Sequence, residues 1–85
     1  MSWDCHAGKE AEVKGLKDTD LKSGVKTVAE CEGACNAAED CELVNWHESD
    51  KHCVMYHGKA PTHAAFLKSL ASSKTYTACI LIKKN

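Results

Sequence analysis

Six cysteines and five histidines are the side chains of this 85-residue chain best suited to chemistry. Thiols can cross-link, attack as nucleophiles or ligate metals, and imidazoles can ligate metals or move protons. Spacing decides among these uses. Cys31, Cys35, Cys41 and Cys53 crowd into one segment, while Cys5 and Cys79 stand near the two ends. An even count at this density, in a chain too short for a large core, reads as a disulfide framework. Such cross-links belong to an oxidising compartment, which places the protein outside the cell or in the secretory pathway.

Cross-linked sulfurs cannot serve as thiolate ligands, so a metal would have to rest on histidine. That leaves His6, His47, His52, His57 and His63 without the cysteine partners that a structural zinc site of paired Cys and His requires. They read as solvent-facing residues on strands and loops, and no metal or cofactor is expected. Asp18 and Asp20 share the opening spacing of a calcium loop, but its later acidic ligands are missing. There is no G-x-S-x-G elbow, phosphate-binding glycine loop or H-E-x-x-H run, so no catalytic residue is assigned and the chain reads as a non-enzyme.

Charge narrows the partners. The 11 basic residues are all lysine, spread singly against 12 acidic ones. That near-neutral, arginine-free balance excludes phosphate-backbone recognition and hence nucleic acid. No apolar stretch is long enough to enter a bilayer as a spanning helix.

The elements that must position the cysteines follow from local patterning. Trp3 to Val13 can supply a first strand, and the turn formers from Gly15 to Gly24 predict a loop. Thr27 and Glu30 form a capping box that opens a helix from Val28 to about Ala38. From Cys41 to Glu48 the period drops to two, as in a half-buried strand, and Cys53 to His57 reads as its return after a loop of roughly four residues. Thr62 to Leu70 fits a short helix or an irregular segment. Thr75 to Lys83 is β-branched and aromatic, and predicts a final strand beside the first. Glu39 and Asp40 at the helix end oppose its dipole. Trp46 is expected in the core and Trp3 as a cover over it.

Six cysteines allow fifteen pairings, and counting alone cannot choose. Helix geometry narrows them. Cys31 and Cys35 share a face with Cβ atoms roughly 5–6 Å apart, too far for a bond between them. Cys35, nearest the helix end, can reach Cys41 across a tight turn. Cys31 then meets Cys53 on the returning strand, which leaves Cys5 for Cys79. Loop-entropy estimates for Cys35–Cys41, Cys31–Cys53 and Cys5–Cys79 are roughly 2, 3.4 and 4.5 kcal/mol.

The run Cys31-x3-Cys35-x5-Cys41-x11-Cys53, followed through the strand Leu43-Val44-Asn45-Trp46 and flanked by Cys5 and Cys79, resembles the PAN/apple modules. The resemblance covers essentially the whole chain. It implies a small disulfide-rich α+β domain, a curved antiparallel sheet cradling one helix, with the same nested pairing. It also implies a binding role toward proteins or carbohydrate, and the all-lysine character is similar to modules of apicomplexan microneme adhesive proteins.

Residues 1–85 are therefore expected to be a single module. Met1-Ser2 looks like an expression start without a signal peptide, so excision from a larger multidomain secreted protein is expected. The hairpin offers the best candidate ligand-binding residues: His47, Lys51, His52 and Tyr56 combine hydrogen-bonding groups with an aromatic ring, a mixture suited to sugars or acidic partner loops. The reading is a non-catalytic adhesion module that binds another protein. The alternatives are a carbohydrate-binding module engaging cell-surface glycan and, behind it, a disulfide-rich inhibitor or toxin. Neighbouring modules of the same chain are the remaining expected partners.

Overall fold

The computed structural model describes residues 2–82; Met1 and the Lys83 end of the expected last strand lie outside the described residues. The elements run β1 (Ser2–Ala11), β2 (Lys17–Leu21), α1 (Val28–Ala37), β3 (Cys41–His47), β4 (His52–His57), α2 (His63–Ser69) and β5 (Leu70–Ile82). All strand pairings are antiparallel, in the order β1-β5-β3-β4-β2, so β3 is central and the first and last strands are neighbours.

Three disulfides cross-link the domain: Cys5–Cys79, Cys31–Cys53 and Cys35–Cys41. Cys5 and Cys79 face each other in register on β1 and β5. The other two bonds hold α1 against β4 and the start of β3. Cys31 and Cys35 are fully buried on the inner face of α1, packed with Val44, Trp46, Met55 and Cys79. Trp3 lies partly buried at the edge of this cluster. The Thr27 hydroxyl accepts from the Glu30 N–H at 3.1 Å. The Glu30 carboxylate reaches one residue further back than a standard box, to the Lys26 N–H at 2.7 Å. At the other end, His57 donates to the Glu39 carbonyl and the Gly58 N–H to that of Asp40. The helix-end carbonyls of Ala34 and Cys35 accept from the Ala38 N–H, so the two bonds from β4 and Gly58 fix the turn that follows the helix.

Four sequence expectations change. The Lys17–Leu21 segment is a strand, not a loop: it adds to the free edge of β4, and its charged side chains are tolerated because an edge strand stays wet. β3 is buried on both faces rather than one, since Val44 and Trp46 face α1 while Leu43 joins Phe66, Ala78 and Ile80 on the opposite side. Phe66 belongs to α2, a second helix that Thr62 caps by accepting from the Ala65 N–H. The sheet is thus covered by a helix on each face rather than by one. β5 also starts earlier than expected, at Leu70.

The β1–β5 ladder breaks once. Its register jumps from Ala7↔Thr77 to Lys9↔Ser72, with Gly8 at φ 76° on the short side. Residues 73–76 on the long side leave the ladder, and the Ser73 hydroxyl accepts from the Thr75 and Tyr76 N–H groups. Tyr76 is thereby placed opposite His47 on β3.

Candidate functional site

The tip of the β3–β4 hairpin collects the polar and aromatic groups. His47 and His52 are directly paired across the four-residue turn 48–51, which puts both imidazoles on the same side of the sheet. Their ring centroids are 4.7 Å apart, and the Tyr76 ring lies 4.6 Å from His47 on its other flank. Asp20, brought in by the edge strand β2, receives a hydrogen bond from His52 Nδ1 at 2.7 Å. Asp50 on the turn approaches His47 Nδ1 to 3.2 Å. That approach is outside hydrogen-bonding geometry, so the buried Nδ1 has no hydrogen-bond partner.

The turn itself is braced by Glu48. Its carboxylate accepts from the Trp46 indole N–H and, at 2.9 Å, from Lys51. Lys51 and then Trp46 hold the Glu48 carboxyl below its ordinary range. Lys51 adopts φ 54°, a conformation rarely used outside glycine, and stays exposed.

Of the four sequence-predicted residues, His47, Lys51 and His52 gather at this tip. Tyr56 shares their sheet face but lies four residues along β4 from His52, about 13 Å at strand spacing. Its hydroxyl is engaged by the Asn45 amide at 3.1 Å, and burial, ahead of any charge, pushes its pKa up. Tyr56 therefore supports the sheet rather than the tip. Asp18, Asp20 and Glu10 act on Tyr56, and Glu10, Asp20 and Asp50 on Tyr76, so this face carries negative charge.

Sequence reasoning missed Tyr76 and Asp20, whose roles depend on the β5 bulge and on the unexpected edge strand, and Asp50, which lies in the hairpin turn itself. It also missed an apolar cleft of about 350 Å³ between the segment following β1 and α2, lined by Val13, Leu16, Leu43, Pro61 and Ala65 with Lys14 and Lys59 among its polar residues. At the other end of the sheet, Asp4 accepts from His63 at 2.7 Å and His6 at 2.9 Å. Those two bonds, His63 first, lower its pKa. Glu32 Oε2 lies 3.0 Å from Cys5 Sγ, but a disulfide sulfur has no proton to donate and is no metal ligand.

A nested trio of disulfides, a five-stranded antiparallel sheet and a helix stapled to its centre define a small extracellular-type binding scaffold. The PAN domain family matches over residues 5–81, and the chain belongs to that family. PAN domains are typically non-catalytic modules that bind protein or carbohydrate. No curated protein and no solved structure gives a significant match to the chain. Among the described residues, no helix is long and apolar enough to cross a membrane.

Proposed function

We propose that this chain is a non-catalytic extracellular recognition module, one of several in a longer secreted adhesive protein, and that it binds a protein partner through the β3–β4 tip. The observation that carries this reading is the cluster of mutually tilted rings His52–His47–Tyr76, set among Asp20 and Asp50. Disulfides fix the strands beneath it, so little ordering entropy opposes binding. Tyrosine and histidine offer apolar faces with polar tips, and the carboxylates select a lysine- or arginine-bearing segment. The same negative charge disfavours sulfated or sialylated glycans.

Carbohydrate recognition is the second reading, favoured by the Tyr76 ring, on which a neutral sugar could stack. Immobilised glycans and a biotinylated bait made from the full chain separate the two. Capture from cell surfaces that resists free sugars, falls with salt and drops at least tenfold in Tyr76→Ala supports protein recognition. Sugar-competable capture on neutral glycans favours the second reading. Capture that is unchanged in Tyr76→Ala rejects this face.

A further inference from the structure

We propose that His47, Asp50 and His52 form a surface site for a zinc-class divalent cation, with one coordination position left open. Each residue offers one ligand atom, and these atoms all lie within 4.8 Å of one another. Tetrahedral zinc holds its ligand atoms roughly 3.3 Å apart, so the group must contract slightly. The means to do so is present: the Asp50 side chain is 69% exposed on the turn, while that of His47 is only 14% exposed.

A second observation points the same way. His47 Nδ1 is shut off from solvent and has no hydrogen-bond partner, although a carboxylate oxygen stands 3.2 Å away. Buried polar atoms in native structures are rarely left without a partner. A cation between imidazole and carboxylate would satisfy both. The rings are also held in place before any ion arrives, His47 between His52 and Tyr76, and His52 by Asp20. Fixed imidazoles backed by a carboxylate are what metal sites use to orient their ligands.

Ligand chemistry selects the ion. Calcium and magnesium take oxygen donors, whereas two imidazoles and one carboxylate suit zinc and its neighbours. Three protein ligands leave a fourth position for water or for a side chain of a bound partner. Lys22 borders the same depression, but Asp20 beside it offsets its charge. The third ligand is an aspartate in the turn between the two histidines.

The cation site does not depend on the recognition reading, and a calorimetric titration of the full chain with zinc sulfate in chelator-free buffer tests it alone. One ion should bind per chain, and calcium chloride should give no binding heat. His47→Gln and His52→Gln should each weaken zinc at least tenfold, as should Asp50→Asn, whose exposed position keeps the fold intact. His63→Gln, at the other imidazole–carboxylate cluster, should leave affinity unchanged. Absence of saturable zinc binding overturns the proposal, as does equal affinity in Asp50→Asn and wild type, or a loss that follows His63. Any of these leaves partner recognition standing, whereas zinc-free capture that is unchanged in Tyr76→Ala would reject recognition at this face and leave the cation site in place.

Discussion

The side-chain amide of Asn45 closes with the backbone of Ala11 the two hydrogen bonds that a neighbouring strand would make. Its Oδ1 accepts from the Ala11 N–H at 2.9 Å and its Nδ2 donates to the Ala11 carbonyl at 3.0 Å. Nδ2 also donates to the Tyr56 hydroxyl. Asn45 is 1% exposed, so these bonds are shielded from water and tie the end of β1 to the central strand.

Asn45→Ala removes all three partners and strands two backbone groups in the interior. Each unmet group costs about 1–3 kcal/mol, so the variant should lose roughly 3 kcal/mol. Urea unfolding with disulfides intact measures this. Asn45→Asp should cost at least as much near neutral pH, because its second oxygen faces the Ala11 carbonyl. A loss below about 1 kcal/mol in Asn45→Ala would show that water replaces the amide.

Cys31–Cys53 ties α1 to β4 across 22 residues of sequence. Replacing both by serine should cost about 3 kcal/mol by loop entropy and place two hydroxyls in an apolar layer. The helix should then exchange its amide hydrogens well before the sheet does. Equal protection of α1 in variant and wild type would mean that Cys35–Cys41 and the packing of Trp46 and Val44 suffice to hold the helix.

How far the sequence reaches can be read from these same residues. The α1 start and the β3–β4 hairpin are local consequences of capping and alternation, and the cysteine pairing follows from the helix, with Cys5–Cys79 left over; all are legible. Asn45 carries a weak signal, a polar residue inside Leu43-Val44-Asn45-Trp46, but nothing local reveals that its partner is Ala11, 34 residues away. β2 is illegible for a different reason. The segment Lys17–Leu21 has no apolar alternation, and only the hydrogen-bonding edge of β4 makes it a strand. Tyr76 reaches the hairpin tip through a bulge that no periodicity encodes.

Glu32 and Asp4 should respond oppositely to acid. Burial raises the pKa of Glu32 above its ordinary 4.5, so its charge is penalised in the fold. The cost is present at neutral pH and disappears as pH falls through the raised value to 4.5. Glu32→Gln should therefore be slightly more stable than wild type at neutral pH, with the difference closing below that value. Urea midpoints measured in acetate and in phosphate buffer compare the two; a less stable Glu32→Gln at neutral pH would mean that the carboxylate has a stabilising contact.

Asp4 has the reverse sign because the His63 and His6 hydrogen bonds favour its charged form and lower its pKa from 3.8. Its contribution is complete above 3.8 and is lost as pH falls through the depressed folded value. What it stabilises is local: His63 opens α2, and Asp4 lies on β1, so the carboxylate anchors the first turn of the helix to the sheet. Asp4→Asn should speed amide exchange across residues 63–69 at neutral pH while the β3–β4 ladder keeps its protection. In wild type the same loosening should appear only on acidification below 3.8. Because Phe66 remains fully buried beneath α2, the helix should loosen at its start without leaving the sheet. Exchange that rises equally over β3 and β4 would instead place Asp4 in the global stability of the domain.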